Sequence, residues 1–306
     1  MNQTLIAKQA EWTKYELLDF GDGEKLERFG DFIIARPYPE INISKSKSKE
    51  FWDQADAVFI RTKGDKGYWK TNKPLPESWK IHWQDLTANV YLSPYKHTGI
   101  FPEQSANWSW IKNILAEQKK QNPEYQPHIL NLFAYTGMAS VVCAKMGAKI
   151  THVDSSRSSI GWAKQNQLAS GLDGRSIRWI LDDVVKFVKR EIKRGVKYDG
   201  IIMDPPAYGH GANGEIWNFK SSFPQLLELC NQILVENPLF VLVNAYAVSI
   251  SADRLGEMLN DFMLSNAMTN NAMAKSGYKI ESGELFLQQA NSDRLLSTGM
   301  FTRFGK

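Results

Sequence analysis

The chain has almost no cysteine. Its 306 residues hold two, Cys143 and Cys230, which cannot build a disulfide framework. That usage fits a reducing cytoplasm. No apolar run reaches ~18 residues, so no membrane span is expected. The start, Met1-Asn2-Gln3-Thr4-Leu5-Ile6-Ala7-Lys8, lacks the apolar centre of a signal peptide. The five histidines are His82, His97, His128, His152 and His210. None stands at metal-ligand spacing from a cysteine or another histidine, so no metal site is expected. The turn after the first strand, Ala134-Tyr135-Thr136-Gly137, lacks the glycine pattern G-x-G-x-x-G as well. A pyrophosphate needs that close backbone approach, which disfavours a nicotinamide or flavin dinucleotide. Neither sign of charge dominates: 37 basic against 33 acidic residues leave a net +4. Such a balance is compatible with a nucleic-acid partner without specifying one.

What is present suits a globular protein of about two domains, with 43% hydrophobic and 23% charged residues. The character changes near residue 95. Before it, short extended pieces such as Phe32–Pro37, Ala57–Arg61 and Trp79–Trp83 alternate with Gly and Pro breaks. This predicts a small β-rich auxiliary domain over 1–95, suited to holding a substrate. Ser44-Lys45-Ser46-Lys47-Ser48-Lys49 reads as a basic connector. The tryptophans of the first 110 residues are read mainly as core, with base stacking as the alternative.

Residues 96–306 alternate strand and helix. Strands are expected at His128–Phe133, Lys149–Val153, Ile177–Leu181, Gly200–Met203 and Phe240–Val243. Helices are expected at Met138–Met146, Ser156–Ala169, Val184–Arg194, Phe223–Val235 and Ala252–Leu264. Gly147 and Gly171 fall where helix C-caps are wanted, and Ser155 or Ser156 can cap the second helix. Repeated βα units imply a parallel sheet covered on both faces. Glu284–Gln289 and Leu295–Arg303 then read as two strands joined at Ala290-Asn291-Ser292-Asp293. The fold class is α/β, a doubly wound, seven-stranded, mostly parallel sheet closed by a terminal antiparallel hairpin.

Polar groups gather at the strand ends. Gly200–Met203 runs into Asp204-Pro205-Pro206-Ala207-Tyr208, where two prolines force a turn. In open α/β sheets ligands bind at that edge. Asp204, or a carbonyl of the Pro205-Pro206 turn, offers an acceptor. Tyr208 offers a ring that would stack on a base, at roughly 1–3 kcal/mol, or simply pack. The first strand enters Ala134-Tyr135-Thr136-Gly137, a permissive turn without a phosphate cradle. Asp154 ends the second strand, where a carboxylate accepts both ribose hydroxyls or caps a helix. Asp182 and Asp183 end the third; one accepts an adenine amino group, Asp183 being favoured, and the other caps or faces solvent. His210, in a Gly-flanked loop, is a general-base candidate or a solvated histidine.

Together these strand ends resemble the class I S-adenosylmethionine-dependent methyltransferases. More closely, they resemble the ribosomal RNA base methyltransferase family that includes the large-subunit cytosine-C5 enzymes. The resemblance rests on Asn131-Leu132-Phe133-Ala134-Tyr135-Thr136-Gly137, Val153-Asp154, Asp182-Asp183-Val184 and Asp204-Pro205-Pro206-Ala207-Tyr208. It extends to Lys96-His97-Thr98-Gly99-Ile100-Phe101-Pro102-Glu103-Gln104, which is similar to a segment covering the cofactor. It implies S-adenosyl-L-methionine as cofactor, held by Asn131, Phe133 to Gly137, Asp154, Asp182, Asp183, Asp204, Phe101 and Gln104. Catalysis falls to Asp204, Pro205 and Tyr208, on an RNA substrate. A homo-oligomer is left open. The cytosine-C5 members place a cysteine after the fifth strand, because that reaction needs a thiolate. Here the strand ends Val243-Asn244-Ala245-Tyr246, so a reaction without a thiol is expected. A small-molecule or protein methyltransferase, and a nucleic-acid-binding protein with a vestigial cofactor site, are the alternatives.

Overall fold

A computed structural model describes residues 5–9, 12–62, 66–210, 214–265 and 278–305. They divide into two compact units. One unit comprises Met1–Ala7, Ala106–Leu285 and Thr298–Lys306, and the other Lys8–Ser105 with Phe286–Ser297.

In chain order the strands are β1 (Leu5–Lys8), β2 (Trp12–Thr13), β3 (Tyr15–Gly21), β4 (Glu24–Phe29), β5 (Phe32–Pro37), β6 (Ala57–Arg61), β7 (Gly67–Thr71), β8 (Ser78–Trp83) and β9 (Leu86–Tyr91). There follow β10 (His128–Leu132), β11 (Lys149–Asp154), β12 (Ile177–Leu181), β13 (Gly200–Met203), β14 (Tyr208–His210), β15 (Ile216–Asn218), β16 (Phe240–Ala245), β17 (Lys279–Gln288) and β18 (Leu295–Gly305). The helices are α1 (Lys49–Trp52), α2 (Ser105–Gln121), α3 (Met138–Lys145), α4 (Arg157–Ala169), α5 (Val184–Lys193), α6 (Phe219–Asn231) and α7 (Ala252–Ser265).

The larger sheet has the order β1-β17-β18-β16-β13-β10-β11-β12. β16, β13, β10, β11 and β12 pair in parallel, and β18 joins β16 antiparallel. All seven expected strands are present, and β1 adds an eighth at one edge. β13 and β16 are buried along their whole length, as a parallel sheet covered on both faces requires. Their apolar side chains pack with Phe187 and Val188 of α5, Phe223, Leu226 and Leu227 of α6, and Leu255, Leu259 and Phe262 of α7. Each fully buried side chain of this kind contributes about 1.5–3 kcal/mol. Gly147 and Gly171 take positive φ after α3 and α4. Ser156 caps α4 by accepting from the Ser159 amide.

α6 departs from expectation. It starts at Phe219 rather than Phe223, because the Asn218 side chain caps it by accepting from the Lys220 amide at 3.0 Å. Pro224 therefore lies inside the helix and gives up one backbone donor.

The second unit carries a five-stranded sheet, β3-β4-β5-β6-β7, and a three-stranded one, β2-β8-β9. Two buried carboxylates organise it. Glu27 binds Arg36 through two hydrogen bonds of 2.5 and 3.0 Å, Tyr15 at 2.9 Å and Lys25 at 3.2 Å. Burial pushes the Glu27 carboxyl up, but the charges of Arg36 and Lys25 outweigh it and hold the group at about 2. Asp19 accepts from the Ser46 hydroxyl (2.7 Å), the Lys47 amide (2.9 Å) and Trp52 Nε1 (2.8 Å), and pairs with Arg294. The basic connector is thus pinned by an acid that precedes it by over 20 residues.

On β11, His152 is fully buried beneath the sheet end, with Nδ1 at 3.1 Å from Ser140 Oγ. Burial pushes its imidazole down to about 3. An unfolded histidine titrates near 6.5, so below that pH the unfolded chain binds a proton the native chain refuses. Stability should therefore fall as pH drops from about 6.5, by about 2 kcal/mol at pH 5 from this residue, levelling off near its native value. Urea denaturation between pH 7 and 5 checks this. The pH slope of His152→Asn should be visibly shallower than that of the wild type.

Candidate active site

Four neighbouring parallel strands, β12, β11, β10 and β13, end at one edge. Their registers align Asp154 with Leu181, and Leu132 with both Val153 and Met203. The backbone keeps the following residues together. Asp182 N donates to Asp154 O at 3.1 Å, Ala134 N to Val153 O at 3.1 Å and Asp204 N to Leu132 O at 3.4 Å. The row therefore reads Asp182-Asp183, Asp154, Phe133–Gly137, Asp204–Tyr208. At one strand spacing per step it spans about 15 Å.

The turn after β10 is strained. Phe133 (φ 55°), Tyr135 (φ 48°) and Gly137 (φ 76°) all lie in the left-handed region. Asp154 stabilises it: Oδ2 accepts from the Tyr135 amide and Oδ1 from the Ser156 amide, both at 2.8 Å. The half-buried carboxylate thus ties the first turn to the start of α4. Burial raises its pKa, and the two amides oppose that rise. Gly137 is also confined sterically. A Cβ there would lie 2.8 Å from Ala163 Cβ and 3.1 Å from His152 Cε1. Thr136 is buried, and its carbonyl accepts from Asn166 Nδ2 at 2.9 Å.

Asn131 lies within β10 and is buried; its amide donates to Ser140 Oγ at 2.9 Å, which in turn meets His152. Its place is underneath the turn, as support. Asp183 caps α5, accepting from the Lys186 amide at 2.9 Å, which leaves its second oxygen for other donors. Asp182 accepts from the Asp183 amide at 2.9 Å and pairs with Arg190. Asp204 is half-buried, Pro205 buried, and Tyr208 56% exposed at the rim. Phe101 and Gln104 belong to the other unit. There Phe101 is half-buried beside His97, and Gln104 is buried in the 3-10 turn Pro102–Gln104. The side chain of His210 lies outside the described residues.

Cys143 and Cys230 are fully buried, and burial pushes both thiols up. Asn244, near the end of β16, accepts from Asn107 Nδ2 at 2.9 Å.

The hairpin β14–β15 had no counterpart in the sequence reading. It follows the proline turn directly and pairs Tyr208 with Asn218 and Gly209 with Trp217. Trp217 turns inward. Its Nε1 donates to Pro206 O at 2.7 Å, and its ring meets Phe133 edge-on at 4.8 Å. The only sequence signal was an aromatic beyond a glycine-rich break.

The donor set has a definite chemistry. Successive carboxylates accept hydrogen bonds, and the turn after β10, with Phe133 and Tyr135 in it, is not a glycine-rich phosphate cradle. This suits a ligand with hydroxyls, an amino group and a cation, which S-adenosyl-L-methionine has.

The family profile described as S-adenosylmethionine-dependent methyltransferase matches residues 58–257. Among curated proteins, Ribosomal RNA large subunit methyltransferase K/L of Shewanella frigidimarina is 32% identical over 138 residues, 44% of this chain and 18% of that protein. Its counterpart in Colwellia psychrerythraea is 26% identical over 208 residues, 62% of this chain and 27% of that protein. This chain thus spans about a quarter or less of these relatives. The crystal structure of the SAM-dependent methyltransferase from Agrobacterium tumefaciens superposes with a TM-score of 0.88 and 34% identity, covering 99% of this chain and 94% of that one.

Gly137→Ala tests the steric claim. It combines an unfavourable left-handed φ with the contact to Ala163, and should cost about 1–3 kcal/mol in urea denaturation. An unchanged midpoint would show that the turn relaxes without the glycine.

Proposed function

This chain belongs to the S-adenosylmethionine-dependent methyltransferases, and from that premise we propose that it methylates a base in RNA, ribosomal RNA first, without a cysteine nucleophile. The observation that carries the reading is the row of strand ends, acids and turns in the order a flat adenosyl ligand needs. Asp183 accepts the adenine amino group, Asp154 the ribose hydroxyls, and the Phe133–Gly137 turn passes the methionine part. The names of the curated relatives support RNA as the substrate.

When bound, the cofactor supplies an electrophilic methyl group. The protein has to hold the acceptor in line with it and exclude water. Asp204 sits one strand from the cofactor turn and accepts a hydrogen bond from the acceptor base. Tyr208, exposed beside it, stacks on the base face. Both cysteines are buried and protonated, and β16 ends without one, so the route favoured is attack by a base nitrogen or hydroxyl. Such an acceptor bonds the methyl through its own lone pair and needs no thiolate adduct to the ring.

Nucleoside mass spectrometry of ribosomal and transfer RNA, with and without the gene, should show one methylated nucleoside missing. Unchanged RNA in both pools would refute the substrate class. Calorimetry with S-adenosyl-L-methionine separates the residue roles. Asp154→Ala should lose micromolar binding, since each lost charged hydrogen bond costs about 1.5–3 kcal/mol. Asp204→Ala should bind within about threefold of wild type and transfer methyl at least about 100-fold more slowly, a loss near 2.7 kcal/mol in the barrier. Normal transfer in that variant would remove Asp204 from the reaction.

A further inference from the structure

Trp217 touches both of the turns that must be held together. It lies on β15 and is 9% exposed. Its indole N–H donates to the Pro206 carbonyl at 2.7 Å. Its ring meets Phe133 with centroids 4.8 Å apart at an interplanar angle of 60°. Phe133 opens the turn assigned to the cofactor, and Pro206 belongs to the turn assigned to the acceptor. Resting on the reading above, we propose that Trp217 is a positioning residue for methyl transfer, its indole fixing the separation of these two turns.

The physical need is specific. β10 and β13 stop pairing at Leu132 and Met203, and one further backbone bond, Asp204 N to Leu132 O at 3.4 Å, follows. Beyond that point the sheet no longer sets the spacing. Pro205 and Pro206 have no N–H, so past Asp204 these two residues can be held only through their carbonyls and ring packing. Its carbonyls are the available handles. Trp217 takes the Pro206 carbonyl, and the Phe219 amide takes the Ala207 carbonyl at 3.0 Å. On the other side Phe133 is held at φ 55°, a conformation a bulky residue keeps only under outside packing. The indole edge supplies that packing.

Methyl transfer is sensitive to misplacement on the ångström scale, so loosening this clamp should affect the chemical step more than binding. The arrangement also bears on the acceptor. With one lone pair of the Pro206 carbonyl engaged by the indole, Asp204 is the charged acceptor left at this turn for a base amino group.

Trp217→Phe keeps a ring against Phe133 and removes the N–H donor. The probes are S-adenosyl-L-homocysteine in calorimetry, and tritiated S-adenosyl-L-methionine with ribosomal RNA purified from cells lacking the gene. The variant should bind S-adenosyl-L-homocysteine within about threefold of wild type and keep its KM for the RNA. Its kcat per cofactor-binding site should fall at least about tenfold. A merely structural role would lower the folded fraction and leave kcat per binding site unchanged; that result overturns the proposal. If Trp217→Phe does not melt cooperatively, Phe133→Leu decides. A kcat per binding site equal to wild type in that variant is equally fatal. A wild type that binds the probe yet methylates none of this RNA overturns the substrate reading, and the positioning role falls with it.

Discussion

The Asp154 carboxylate carries the geometry of the sheet edge. A half-buried charge is stable only with donors around it, and here two backbone amides from different segments provide them. Charge-assisted bonds of this kind contribute about 1.5–3 kcal/mol each. They stabilise a turn with three left-handed residues, two of them aromatic, which the chain would otherwise avoid. The glycine in that turn then packs against α4 and His152, and the buried Asn131–Ser140–His152 chain fills the space beneath. Strain in the turn, burial of the acid and the polar chain below are one arrangement.

The same rule governs the other unit. Glu27 and Asp19 are fully buried, and each gathers several donors. Removing one partner of such a cluster costs more than the pair contributes in isolation, because the remaining charge stays out of water. Arg36 and Lys25 are therefore structural cations. So is Arg294, whose guanidinium reaches Asp19, the Phe20 carbonyl and the Ser44 carbonyl. A basic stretch such as Ser44–Lys49 looks like a solvated linker until the acid that orders it is found.

Much of the larger sheet was legible because its strands are short apolar runs with strong punctuation. Ile177–Leu181 and Gly200–Met203 begin and end where the residues say they should. Asp154 and the Asp204 turn were visible as polar groups at strand ends. The helix Ser105–Gln121 was not anticipated, although Trp108, Ile111 and Leu115 are buried at helical spacing. Two of its polar residues, Ser105 and Asn107, are fully buried too and blur the pattern. The hairpin β14–β15 escaped because three-residue strands carry almost no periodicity.

The order of residues was enough to specify a parallel sheet with acids at its carboxyl edge, because strand length, chain punctuation and βα alternation are local properties. It could not say which oxygen of Asp154 meets which amide, that Asp183 caps α5, or that Asn131 points beneath its turn. Nor could it join Trp217 to Pro206 and to Phe133, 84 residues earlier in the chain. Those contacts arise only when separate strands are brought to one edge, and no local pattern encodes a distance between them.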